Sequence, residues 1–173
     1  MSINDVIGNS YVDMALSMGA KSAVLFSIKD IAFDSRVVLK CIFGCGDFGK
    51  LHSCPYQRSP LSMDEYKNIL EKYTWGIIIG CEDKPSSQRI SYEIERTTFL
   101  DGYYFSFSLS DCGLCNVCSK SSGVDCVFPQ KARPAFHSVG IDVFKTVRAL
   151  GLPLEVLRDK SDPQNWYSAV FIE

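Results

Sequence analysis

What this 173-residue chain lacks narrows its function before any motif is weighed. It has no long apolar run. The longest, Trp75-Gly-Ile-Ile-Ile-Gly-Cys81, falls far short of the roughly 20 residues a bilayer-spanning helix needs. It has no basic patch either. Lys and Arg number 18 against 20 Asp and Glu, the net charge is −2, and the cations are scattered. That pattern argues against nucleic acid and anionic membrane as partners. The N-terminus carries Asp5 and Asp13 and no basic region followed by an apolar one, so no signal peptide is expected and the chain reads as cytoplasmic. No repeat, low-complexity tract or linker interrupts it, and residues 1–173 read as one domain. No nucleophile–base pattern stands out, so catalytic residues are unassigned. Glu93 and Glu95, two apart on one helix, face different ways and do not read as an acid/base pair.

Cysteine, by contrast, is abundant: positions 41, 45, 54, 81, 112, 115, 118 and 126. An even count suits a disulfide framework only in an exported chain, so in a cytosolic one the spacing points to metal. Cys112, Cys115 and Cys118 recur every third residue, and Cys126 follows after Ser119–Asp125 with Pro129 close behind. A C-x2-C-x2-C run lets three thiolates converge from one short loop on a compact inorganic centre. The run resembles the bacterial ferredoxin pattern, stretched before its fourth ligand. Structural zinc more often takes separated C-x2-C pairs or mixed Cys and His, which makes zinc the alternative here.

The second group is looser: Cys41, Cys45 and Cys54-Pro55, with Cys81 as candidate fourth ligand or inert core thiol. Without Cys81 this centre would leave one iron open to substrate, or take a ligand such as His52. A crossed arrangement is also open, with Cys126 serving the first group and Cys81 the second. Pro55 and Pro60 should hold their segment extended and leave amides free for cluster sulfurs. Gly44-Cys-Gly-Asp-Phe-Gly49-Lys50 imitates both a dinucleotide fingerprint and a phosphate-binding loop. The first needs a following helix, and Leu51 replaces the hydroxyl residue that the second needs for magnesium. His52 and His137 are candidate ligands or proton donors, though ordinary hydrogen-bonded histidines are commoner. Arg133 could donate to a cluster sulfur, anchor an anionic partner or form a surface salt bridge.

Periodicity places helices over 2–18 (Ser2 and Asp5 capping, Ile7, Tyr11, Met14, Ala15 and Met18 inward), 63–73, 88–100 and 139–150, the last with Val143, Phe144, Val147 and Leu150 inward. The 63–73 helix opens on a Ser62–Glu65 capping box. Strands are expected at 23–28, 31–33, 37–43, 75–81 (buried on both faces), 103–109, 154–157 and 166–172. The fold class is α+β or α/β: one layered domain with a mixed sheet, about four helices and cysteine-rich loops at strand ends.

These residues carry a family resemblance. Phe33-Asp-Ser-Arg-Val37, Cys41/Cys45/Cys54-Pro55, Glu95-Arg96 and Gly102-Tyr-Tyr104 carry it, with the Cys112–Cys126 run, Ala132-Arg-Pro134 and Gly140-Ile-Asp-Val143. The chain resembles a family of predicted metal-binding proteins of unknown function, cysteine-rich and chiefly from archaea and anaerobic bacteria. The resemblance implies metal ligation by Cys41, Cys45, Cys54, Cys112, Cys115, Cys118 and Cys126. The chain departs from it at Cys54-Pro-Tyr56, where a second proline is usual, and at Cys81, where an aliphatic residue is usual. The expectation is two iron–sulfur clusters of the [4Fe–4S] type, with zinc as the alternative. The role would be electron transfer to a redox partner protein or enzyme in anaerobic metabolism. The alternatives are an enzyme or cofactor-assembly factor with an open iron at Cys41/Cys45/Cys54, and a zinc-stabilised interaction module.

Overall fold

The computed structural model describes residues 3–58, 61–159 and 161–173, with only the backbone described at 3–6, 58 and 121. The cap expected from Ser2 and Asp5 and the role expected of Pro60 lie outside what is described. The chain runs α1 (Ile3–Ser17), β1 (Ser22–Ser27), α2 (Val38–Gly44), α3 (Pro55–Arg58), α4 (Met63–Leu70), β2 (Trp75–Cys81), α5 (Lys84–Leu100), β3 (Phe107–Leu109), α6 (Val143–Ala149) and β4 (Trp166–Phe171). The four strands form one sheet in the order β1-β2-β4-β3, and every pairing is antiparallel. This makes the fold α+β, and the sheet is antiparallel where a mixed one was expected.

Strand β2 lies at the centre and is buried on both faces, as its unbroken Ile77-Ile-Ile79 run requires. On one face Ile77, Ile79, Cys81, Val170 and Ile172 pack against Tyr11 and Ala15 of α1 and Ile90 and Ile94 of α5. On the other, Phe26, Ile78, Leu109, Ala169 and Phe171 meet Leu70 of α4, Val147 of α6 and the Phe136–Ile141 turn. The sheet is therefore the middle layer of three. Helix α4 starts at the capping box read from sequence: the Ser62 hydroxyl accepts from the Glu65 amide and the Glu65 carboxylate from the Ser62 amide.

Several expected elements differ. Residues 37–43 form α2, not a strand. Asp34 accepts from the Arg36 amide and starts a 3-10 turn that leads straight into the helix, which buries Cys41 alone. The 31–33 strand shrinks to one bridge, Phe33 with Ile141. The expected strand 154–157 is irregular because side chains take the nearby carbonyls: Arg148 Nε donates to Leu154 O at 2.8 Å and Tyr167 Oη to Pro153 O at 2.6 Å. Pro55 opens the short helix α3 instead of holding an extended chain, a position that suits a residue with no N–H to give. Helix α6 begins only at Val143, and Phe144 is 40% exposed beneath the Arg148 guanidinium instead of inward. The strand expected over 103–109 contracts to β3 and turns its serines inward, leaving Phe105 74% exposed. Ser106 and Ser108 face α5, where Thr98 and Glu95 meet their hydroxyls.

Candidate metal centre

Cys112, Cys115, Cys118 and Cys126 line a single cavity of about 260 Å³, beside Asp47, His52, Ser53 and Lys84. Local chemistry explains how the fourth cysteine returns. After Cys118 the chain enters a 3-10 turn over Ser119–Ser122 and reverses at Gly123, whose φ of 78° is the left-handed conformation that glycine adopts without strain. The Val124 amide donates to Ser119 O at 3.1 Å, the Ser119 hydroxyl to Asp125 O at 2.9 Å, and Lys120 pairs with Asp125 at 3.2 Å. The longer loop thus folds back and delivers Cys126 to its partners.

The two ends of the cysteine loop are tied to α5. Ser110 N donates to Pro134 O at 2.9 Å, closing the loop at its base. Fully buried Gln88 accepts from the Gly113 amide and donates to Lys131 O at 3.2 Å, so one side chain grips both arms. Glu95 accepts from Ser108 N at 2.8 Å and from Arg133 Nε at 2.9 Å, and the side chains of this ion pair are 12% and 13% exposed. Arg133 is therefore a largely buried clamp, its ring-facing sides over Tyr92 and Phe107. Gly113 lies so close to the start of α5 that a Cβ would stand 2.7 Å from the Pro85 nitrogen. The positive end of the helix dipole and Lys84 accordingly face the thiols, where negative charge is favoured.

Three of the other four cysteines form a second neighbourhood. Cys41 lies buried on α2, Cys45 is exposed at its C-cap, and Cys54 immediately precedes α3. The Gly49 amide already donates to Cys54 Sγ at 3.3 Å, the contact that stabilises a thiolate or a cluster sulfur. The G-x-G-x-x-G segment follows a helix and not a strand, so neither nucleotide template has its required context. The loop connects the two neighbourhoods, because His52 and Ser53, just before Cys54, also wall the four-thiol cavity. Cys126 lines that cavity with Cys112, Cys115 and Cys118. Cys81 stands apart from both groups, 1% exposed in the core between α1, α5 and the sheet.

Burial pushes the Cys41 thiol up to about 11, with the charges of Cys45, Cys54 and Asp111 adding to the effect. Cys115 is raised by burial first and then by Cys112, Cys118 and Cys126, which marks the four as electrostatic neighbours. Among the described residues no three His, Cys, Asp or Glu side chains stand close enough to hold an ion as they are. These observations agree once protons are counted. Neutral thiols gain nothing by crowding, and thiolates converge only as a metal replaces their protons. The buried Ser110 hydroxyl, two residues before Cys112, has no hydrogen-bond partner among the described residues. A soft, thiophilic centre suits this donor set.

Asp111, Lys84, Gln88 and Glu95 were not assigned to the site from sequence. Burial raises the Asp111 carboxyl above its usual range, partly offset by His137 and Lys84, and its charge reaches Cys41. A signal for the others existed in α5: Gln88, Ser91, Glu95 and Thr98 fall at helical spacing and form a polar stripe. A buried polar stripe of this kind marks a helix that grips backbone.

Among the described residues no helix is long and apolar enough to cross a membrane. No curated protein and no solved structure matches the chain. Residues 24–172, which include all eight cysteines, match the family described as predicted metal-binding protein (DUF2284), and the chain belongs to that family.

Proposed function

We propose that the protein holds two iron–sulfur centres, of the [4Fe–4S] type, and passes electrons to a partner protein in the anaerobic cytoplasm. One centre takes Cys112, Cys115, Cys118 and Cys126; the other takes Cys41, Cys45 and Cys54. The observation that carries the reading is the cavity lined by four thiols from one folded-back loop. A single zinc ion needs sulfurs at about 2.3 Å and no cavity, whereas a cluster needs the space between the thiols. Lys84 and the N-terminal end of α5 would offset the cluster's negative charge, and the Gly49 amide would do so at Cys54. The His52–Ser53 wall shared by the two neighbourhoods supports adjacent centres, as a two-centre electron carrier would need. Cys81 is left out of the ligand set because the sheet and two helices enclose it away from other thiols.

Iron and acid-labile sulfide on anaerobically isolated protein test this directly, and about eight irons per chain are expected. Zinc without sulfide, persisting after anaerobic reconstitution, would overturn the iron reading in favour of an interaction module. One observation favours the second reading, an open iron at the three-cysteine centre: an apolar cleft adjoins Cys54.

A further inference from the structure

That cleft is a cavity of about 490 Å³ on the α4 side of the sheet. Its size falls within the roughly 300–1,000 Å³ usual for small-molecule sites. Leu61, Ile69, Leu70 and Leu109 supply aliphatic wall, while Tyr66, Tyr73 and Phe107 supply rings. Pro55, Pro129 and Pro134 add flat, rigid surface. At one end lie Cys54 and His52, on the segment that also borders the four-thiol cavity.

Among the described residues the wall carries almost no usable charge. The guanidinium of Arg133 is neutralised by Glu95, and its Nη1 donates to Gln130 O at 2.8 Å and Ala132 O at 3.1 Å. The Tyr73 hydroxyl is committed to Phe105 O at 2.6 Å. Among the described residues that line it there is no Asp, Glu or Lys. A charged ligand entering here would lose its hydration and find no free counter-ion among the described residues. The ring-bearing walls instead favour a flat, apolar guest through edge and face contacts.

We infer that this cleft binds an uncharged aromatic molecule and presents its one nitrogen, oxygen or sulfur donor to the metal held by Cys41, Cys45 and Cys54. The inference rests on the three-cysteine centre proposed above, since only a centre short of a fourth protein ligand has a position to offer. It gives that centre a ligand class, and it distinguishes the two centres: the four-thiol one is closed, the three-thiol one is open on its apolar side.

The test uses the full chain, metal-free and after anaerobic reconstitution with iron and sulfide. Each form is titrated with 4-methylpyridine under mildly alkaline conditions, where it is uncharged, and with pyridine-4-carboxylate as its anionic counterpart. Methyl NMR of Leu61, Leu70 and Leu109 reads occupancy of the cleft whether or not metal is present. We expect saturable shifts of all three with 4-methylpyridine, binding about tenfold tighter in the reconstituted form, and binding of the carboxylate weaker by about tenfold. Ile69→Trp, at a position already 45% exposed, should abolish the shifts while iron content and circular dichroism stay unchanged. Unmoved methyl signals in both forms, or equal binding of the carboxylate, would overturn the cleft assignment. Shifts of equal affinity with and without bound iron would overturn the link to the metal. Failure to take up iron at all would instead defeat the proposed function, and the metal-free titration would then decide the cleft by itself.

Discussion

Replacing Cys81 separates a ligand from a core thiol, and the structure sets the size of each effect. The side chain is 1% exposed, packed among Ile77, Ile79, Ile90 and Ile94. Cys81→Ser conserves shape but buries a hydroxyl among aliphatic carbons, which costs about 1–3 kcal/mol. The thiol itself carries a second, pH-dependent contribution. Burial, helped by Asp83 and opposed by Arg89, raises it from 9.0 to about 11. The folded state therefore holds this proton more tightly than the unfolded chain. The corresponding stability is fully present below the unfolded value and is lost as pH rises through about 11. A shift of this size corresponds to about 3 kcal/mol across that window. Urea unfolding of the metal-free protein over this range should show a steeper alkaline loss in the wild type than in Cys81→Ala. Comparison within one metal-free state matters, because Cys41 shares the same alkaline range. In parallel, anaerobically reconstituted Cys81→Ser should keep its full iron and sulfide content and an unchanged EPR signal. A folded Ser variant that loses iron would refute the core-thiol reading, and an identical alkaline limb in the Ala variant would refute the burial argument.

Three further outcomes are expected. Glu95→Gln leaves Arg133 without its carboxylate at a site where both side chains are largely buried, so urea unfolding should show a loss of about 3–5 kcal/mol. An effect below that of an exposed pair would mean that the clamp is not formed. Gly113→Ala sets a Cβ against Pro85 and Lys84 backbone at 2.7–2.9 Å, which cannot yield, so the four-thiol centre should be lost preferentially. Iron content should then fall by about half in a still-folded protein; an unchanged value would count against the packing of this turn on α5. Finally, metal uptake must release protons from Cys41 and Cys115, both held above the ordinary thiol range. Affinity measured by chelator competition should therefore rise with pH through the neutral and mildly alkaline range, and a flat profile would contradict the proposed thiolate ligation.

The elements read correctly from sequence are those whose pattern is dictated locally. The Ser62–Glu65 box, the triple isoleucine of β2 and the inward stripe of α1 are each legible because capping, double-sided burial and helical period leave a mark within a few residues. The misread segments are those whose state depends on distant partners. Residues 37–43 are apolar enough to read as a strand, but the Asp34 turn starts a helix there. In 103–109 Ser106 and Ser108 are buried while Phe105 is exposed, because α5 meets those serines with Thr98 and Glu95. Such serines bury well only when a facing helix supplies their hydrogen bonds.

For the candidate site, the sequence by itself determined which thiols are available and how they are spaced. Thiol spacing is a property of the chain, and a triplet at three-residue steps must share one neighbourhood wherever the loop lies. Which thiols share a cavity, and which is enclosed elsewhere, only the tertiary structure decided. Cys126 returns to its run through the Gly123 reversal, while Cys81 is carried by the central strand into a core sealed by α1 and α5. Four thiols are gathered and one is isolated because helix α5 does both: its first turns and polar stripe grip the cysteine loop, and its apolar side covers Cys81.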